Sequence, residues 1–364
     1  VKEGWPTSSS PVRETLAVES VDVLVVGAGQ SGLGTAHWLR ELAPELSCLL
    51  VDGSSRVGAS WEDRWESLRL FTPRRYSALP GLAFPHGKRN PTKLEMADYL
   101  RDYAAPFDVR LDWPVHRLVR TDAGFVVNGE IRARHVVIAA GPYPRAYLPD
   151  AADKLNETVH QLHSSEYSNP IALPAGDVLV VGGGNSAAQI ALELSRTRRV
   201  TVVAGGATWY LPESVLGVST YSWLSLFGVL DAPTDGRAGR LVRRNREGVF
   251  GTELRTAVRR GQLGLLPRRV TGACGSDVLL DDGTALPVSV VLWCTGFQPD
   301  YPWLDVPGAL DDTGAPLHDD GTSPVPGLHW MGLPWLRGLD SAIVHGVSAD
   351  ARQTVIKIVA ASRP

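Results

Sequence analysis

Only three cysteines occur in 364 residues, Cys48, Cys274 and Cys294, and they lie far apart. Without a CxxC pair the sequence offers no dithiol redox centre, zinc knuckle or disulfide framework, which points to a reducing, cytoplasmic setting. His37, His160 and His163 lack carboxylate or cysteine partners at ligand spacing, so they read as packing or cofactor-side groups and no metal is expected. Long apolar runs are missing too: the longest are strand-length, short of the ~20 residues of a membrane helix, and no signal-peptide layout precedes them. An excess of one charge is absent, since 36 basic and 39 acidic residues are mixed along the chain. Neither nucleic acid nor a membrane is therefore an expected partner. Residues 1–20, with Pro6, Ser8-Ser9-Ser10 and Pro11, show little periodicity and read as a tail or trimmed leader.

What is present is a repeated alternation of strand and helix. At 44% hydrophobic residues the chain has ample core material, and its length suits two domains. Residues 21–26 read as strand, 27–32 as a glycine turn, 33–42 as helix and 48–51 as strand, a βαβ unit. The same grammar returns at 178–181, 182–187, 188–195 and 200–203. Between the two, 92–104 reads as helix and 123–127 with 130–140 as strand, before Pro142, Pro144 and Pro149 mark an exit. Asp282-Gly283 signals a hairpin within 277–286. Residues 290–293 then read as strand and 349–360 as helix. The expected fold class is α/β, with two nested Rossmann-like dinucleotide-binding domains. The first spans 21–155 and 290–364; the second, inserted, spans 156–289 and carries an aromatic-rich insert over 209–230.

The glycines carry the chemistry. In Gly27-Ala28-Gly29-Gln30-Ser31-Gly32 the first glycine makes the tight turn, the second lets backbone approach a pyrophosphate, and the third lets helix pack on strand. The helix N-terminus, with Gln30 and Ser31, then faces the anion. Asp52, followed by Gly53, ends the second strand, where a carboxylate accepts ribose hydroxyls; a plain strand-end turn is the other reading. The second turn, Gly182-Gly183-Gly184-Asn185-Ser186-Ala187, is a GxGxxA variant, so two dinucleotides are expected. Its second strand ends at Ala204-Gly205-Gly206, with neither the acid that favours NAD nor the arginine that favours NADP. Arg196, Arg198 and Arg199 precede that strand, either to reach a 2′-phosphate or to meet a helix dipole.

Together these residues resemble class B flavin-containing monooxygenases, in the branch similar to plant indole-pyruvate monooxygenases and related bacterial flavoproteins. The likeness runs from Val21 to Ala360. It rests on the two glycine turns, Gly58-Ala59-Ser60-Trp61, Ala139-Ala140-Gly141-Pro142-Tyr143, His163-Ser164-Ser165-Glu166-Tyr167 and Thr295-Gly296-Phe297. The resemblance implies FAD on the first turn and NADPH, or alternatively NADH, on the second. It implies cofactor contacts at Trp61, Ala140, Gly141, Thr295, Gly296, Gly332 and Leu333, the last two in a segment returning over the flavin. His163 belongs to an HxxxY core that couples nicotinamide binding to flavin chemistry, though the flanking residues of that fingerprint are replaced by Glu157 and Val159. Phe71 and Thr72 stand where many members carry an asparagine near the oxygen-reactive edge. Thr72 is then either a hydrogen-bonding neighbour of the flavin or a turn hydroxyl. The family arginine for the 2′-phosphate would fall near Gly206.

The activity so implied is a monooxygenase. NAD(P)H reduces FAD, O2 adds to form a flavin C4a-peroxide, and one oxygen atom passes to nitrogen, sulfur, carbonyl carbon or an α-keto acid of a small organic substrate. Two alternatives stand beside it: an NAD(P)H oxidase or flavin-linked reductase without oxygen transfer, and a non-catalytic nucleotide-binding protein. Tyr210, Tyr221, Trp223 and Phe227 form either an apolar lid or wall for the substrate, or else a subunit contact in a homodimer or plain core.

Overall fold

A computed structural model of the chain describes residues 18–206, 210–230, 232, 236 and 249–363. Two sheets with parallel cores frame it. In the first, Glu19–Val26 pairs in parallel with Cys48–Val51 on one side and Ile131–Ile138 on the other, and Val109–Arg110 extends the sheet past Cys48–Val51. Val23, Leu24 and Val25 are fully buried, as an unbroken apolar run demands when both faces of a strand are covered. The strand begins at Glu19, so the expected tail is shorter than 20 residues; residues 1–17 lie outside the described chain. Gly124–Val127 joins Leu118–Thr121 and the first half of Ile131–Ile138 in an antiparallel meander.

Helix Gln30–Leu42 covers one face of this sheet and is itself covered by Val344–Ser362. Gly34 permits the approach, since a Cβ there would lie 2.5 Å from Val347 Cγ1. Leu328–Trp330 pairs in parallel with the second half of Ile131–Ile138, so chain that follows the second sheet completes the first. The helix expected over 92–104 is Lys93–Ala104. Thr92 and Glu95 form a reciprocal capping box at its start, each side chain accepting the other's backbone N–H.

The second sheet is wholly parallel, in the order Gly264–Leu266, Val200–Val203, Val178–Val181, Val290–Trp293, His160–His163. Val290–Trp293 corrects the expected boundary at 290. Its four residues are buried and hydrogen-bonded between two strands of the second sheet, so the second unit runs through Trp293. Ala151, Ala152 and Leu155 pack against that sheet's Val181 and Val203, which moves the earlier boundary forward as well. The chain crosses between units at two places that meet: Arg145–Ala146 pairs antiparallel with Phe297–Gln298, and Tyr147 N–H donates to the Gly296 carbonyl at 2.9 Å.

A third link is side-chain packing. Trp65 and Leu68 follow the short helix Ala59–Glu62 of the first unit yet are buried in the core of the second, beside Val180, Ala188 and Ala191. Among the described residues no helix is long and apolar enough to cross a membrane.

Candidate functional site

Both glycine turns leave a strand's carboxyl end and enter a helix without a side-chain cap. Gly29 precedes Gln30–Leu42 and Gly184 precedes Asn185–Leu194, and neither helix start receives a capping hydrogen bond from its N-cap side chain. The first N–H groups of each helix thus face outward with the positive end of the helix dipole.

The space around the glycines differs by position in the same way in both turns. A Cβ on Gly27 would lie 2.4 Å from the Ala139 carbonyl oxygen, and one on Gly182 would lie 2.2 Å from that of Cys294. Both residues also hold positive φ, 107° and 140°, a region side chains disfavour. Gly29 and Gly184, by contrast, have nothing within 4 Å of where a Cβ would stand. Each turn is closed by its first glycine and open at its second, a cradle that fits a dinucleotide pyrophosphate. The third position packs helix on turn: a Cβ on Gly32 would come within 1.9 Å of the Gly27 carbonyl oxygen, whereas the second unit accommodates buried Ala187.

Around the first cradle, Asp52 Oδ2 accepts the Ala28 N–H and Oδ1 accepts the Ser54 N–H, both at 2.8 Å. The carboxylate therefore fixes the turn and keeps lone pairs for a ribose hydroxyl. Gly53 packs on Pro114. Trp61 Nε1 donates to Gln30 Oε1 at 3.2 Å, which brings the Gly58–Trp61 motif against the helix start. Gly332, at φ 74°, sits over Ser31, leaving 2.5 Å between a would-be Cβ and Ser31 Oγ, and Leu333 is buried in the first core. Ala140 and Gly141 follow Ala139 in the wall beside Gly27.

His163 lies at the end of its strand, 1% exposed. Its Nδ1 accepts from the Ser165 N–H at 3.2 Å and lies 2.8 Å from Ser165 Oγ, while Nε2 donates to the Gly296 carbonyl at 3.0 Å. Burial holds its pKa below the ordinary histidine value, so the ring is neutral and fully used. It pins the Thr295–Gly296 turn, where the Thr295 hydroxyl also bonds the Tyr147 carbonyl. Tyr167 of the same motif is buried, its hydroxyl donating to Glu193 Oε2 at 2.8 Å.

Thr72 is spent locally. It is 1% exposed with its hydroxyl 2.8 Å from Ser77 Oγ, the turn-hydroxyl arrangement. Phe71 instead lines a cavity of about 180 Å³ together with Asn90, Glu213, Ser219 and Tyr221. Burial, and then Glu253, raise the Glu213 pKa. The helix Thr220–Leu226 of the aromatic insert docks here: the Tyr221 ring lies 4.9 Å from Tyr76 and 5.8 Å from His345. Phe227 is 73% exposed, and Trp209 lies outside the described residues.

The arginines before Val200–Val203 sit at the wrong end of that strand. Nucleotides bind at carboxyl ends of parallel strands, and the five steps from Arg199 to Ala204 span about 16 Å. Arg198 donates to the carbonyls of Pro170 at 2.7 Å, Leu173 at 2.9 Å, and Pro174, and Arg199 lies 3.8 Å from Asp177. Arg198 and Arg199 thus secure the exit of helix Asn185–Leu194.

Sequence reasoning missed Arg64. Its guanidinium lies 5.1 Å from the Tyr143 ring and 5.8 Å from that of Phe297, and Phe297 meets His163 edge-on at 4.9 Å. Three separate motifs thus converge where the chain crosses between units. Burial lowers the Arg64 pKa. The residue was legible only as the third after Trp61.

A profile of the pyridine nucleotide-disulphide oxidoreductase family matches residues 24–224, over half the chain. The chain belongs to this family. A CzcO-like oxidoreductase of Geobacillus kaustophilus (strain HTA426), itself uncharacterised, is 39% identical, over 93% of this chain and 98% of that protein. A solved flavin-containing monooxygenase from Stenotrophomonas maltophilia superposes with a TM-score of 0.79 at 28% identity, covering 94% of this chain and 99% of that one. The probable indole-3-pyruvate monooxygenase YUCCA9 of Arabidopsis thaliana is 26% identical, over 90% of this chain and 86% of that protein. The likeness to class B flavin monooxygenases stands, and the protein is an oxidoreductase of that flavin-dependent kind. Cys48, Cys274 and Cys294 are all free thiols.

Proposed function

We propose that the protein is an NAD(P)H-dependent monooxygenase holding FAD on the Gly27–Gly32 turn and the nicotinamide dinucleotide on the Gly182–Ala187 turn. Overall, NAD(P)H, a proton, O2 and a small organic substrate give NAD(P)+, oxygenated substrate and water. The observation that carries the reading is the pair of cradles, each closed at its first glycine and open at its second. When bound, the flavin supplies hydride acceptance and activation of dioxygen.

The chain's own residues bind, orient and exclude water. Gly29, Gln30 and Ser31 with the following helix hold the FAD pyrophosphate, and Asp52 holds a ribose. Gly184, Asn185 and Ser186 do the same for the second pyrophosphate. Neutral His163 orients the Gly296 turn against the crossing strands, and Arg64 and Phe297 close that junction. Phe71, Asn90 and Tyr221 form the wall that meets the substrate, with the aromatic insert as its cover. Dryness there matters, because water diverts activated oxygen to hydrogen peroxide.

The test is stoichiometry. Purified yellow protein should bleach on anaerobic addition of NADPH, and in air a true substrate should lower peroxide release per NADPH consumed. Absence of bleaching sinks the redox reading. One-for-one peroxide with every nitrogen, sulfur, ketone and keto-acid compound tried would select the second reading, an NAD(P)H oxidase. One observation favours that alternative: the Thr72 hydroxyl is buried against Ser77 Oγ, and Phe71 brings no polar side chain.

A further inference from the structure

The second unit has lost the residue that names its ligand, and a neighbouring strand supplies another in the same place. Val203 and Leu266 are partners at the carboxyl ends of adjacent parallel strands. After them the chain turns tightly on both sides: Gly206 N–H returns to the Ala204 carbonyl at 2.8 Å, and Arg268 N–H to the Leu266 carbonyl at 2.9 Å. This lays Arg269 across the glycines. A Cβ on Gly205 would lie 2.8 Å from Arg269 Cγ, so the arginine stem occupies the space that a side chain at 205 would fill.

The two neighbouring arginines are differently employed. Arg268 Nε lies 2.7 Å from Asp282 Oδ2 and 4.0 Å from Asp281 Oδ1. The Arg269 carbonyl accepts the Asp281 N–H at 2.9 Å, and the side chain is exposed and pairs with no carboxylate among the described residues. No acid stands at Ala204, Gly205 or Gly206 to bond a ribose diol or to repel a phosphate there.

We propose that Arg269 is the specificity residue of the second site: its guanidinium binds the 2′-phosphate of NADPH, taking the place of the side chain absent from Gly205-Gly206. The inference rests on the dinucleotide reading of the Gly182–Ala187 turn. Gly205 serves it by remaining bare, since any larger residue displaces the arginine stem. A guanidinium suits the task because its planar fork pairs with two phosphate oxygens at once.

The experiment is calorimetric titration of the flavin-loaded protein with 2′-phospho-ADP-ribose and with ADP-ribose, which differ only in that phosphate and undergo no hydride transfer. The wild-type protein should bind the phosphorylated ligand at least about tenfold more tightly, with a preference that falls as salt rises. Arg269→Ala should cut affinity for it about ten- to a hundredfold and leave ADP-ribose within about twofold. Arg269→Lys should keep part of the preference, and Arg268→Ala should leave the ratio unchanged. Equal wild-type affinities, an unchanged ratio in Arg269→Ala, or an equal loss in Arg268→Ala each overturn the assignment. Binding of neither ligand overturns it as well, and differs from the other failures in removing the nicotinamide site itself.

Discussion

Gly27 and Gly29 stand two residues apart in one turn, and a side chain would meet different surroundings at each. At Gly27 it would strike backbone; at Gly29, whose φ of −78° any residue adopts, it would enter open space. Gly29→Leu should therefore give folded protein that purifies without its yellow colour, while Gly27→Leu should fail to fold. Full flavin content in Gly29→Leu would refute the first cradle. A different residue, Asp350, governs stability. It is 4% exposed, its Oδ2 lacks a hydrogen bond, and burial raises its pKa to about 6 despite Ser341 and Arg337 at 3.6 Å. Because the folded state holds this proton more tightly than the unfolded chain, stability is lost as pH rises from about 4 through 6. Asp350→Asn should thus stabilise by up to about 3 kcal/mol at pH 8 and by less at pH 5, measured by urea unfolding. A gain independent of pH would contradict the assignment. The glycine turns and Asp52 were legible in sequence because each obeys a local rule of spacing. Arg64 and Arg269 were not, because their partners, Tyr143 and Phe297 for one and Gly205 for the other, lie far along the chain.

Among the elements, the segment following Ala59–Glu62 ties the two units most directly. Trp65 is 3% exposed in the second core, and Gln189 Nε2 donates to the Arg69 carbonyl at 3.1 Å. Trp65→Ala should destabilise the protein by about 3–5 kcal/mol through the cavity it leaves. Because the cavity lies in the second core while Trp65 belongs to a segment of the first unit, calorimetry should show the second unit unfolding ahead of the first in the variant. Both units unfolding together at a lower temperature would mean that Trp65 is not what couples them. Strand and helix periodicity predicted the strands and helices of both glycine-turn units, missed elements such as His160–His163, Gly264–Leu266 and Leu328–Trp330, and put Val290–Trp293 on the wrong sheet. Four apolar residues fit any buried parallel strand, and only the pairing partners decide which.

At the scale of the whole molecule, burial depresses the pKa values of His37, His135, His163, His318 and His329, the last to about 3. Each binds its proton less readily in the fold than in the unfolded chain, so stability falls as pH drops below the ordinary histidine value of about 6.5. The melting temperature should decline steadily from pH 7 to pH 5; a flat profile would mean that these rings are more hydrated than their packing indicates. The order of domains along the chain was readable because glycine turns recur, whereas their interlocking was not, since it depends on where distant strands pair.

The antiparallel ribbon of Arg145–Ala146 and Phe297–Gln298 bears on how the halves are held. A single tether lets two bodies swivel freely, but twin straps bonded edge to edge resist torsion and yield to flexing. Twisting of one half against the other is therefore opposed at this crossing by the strand pairing itself.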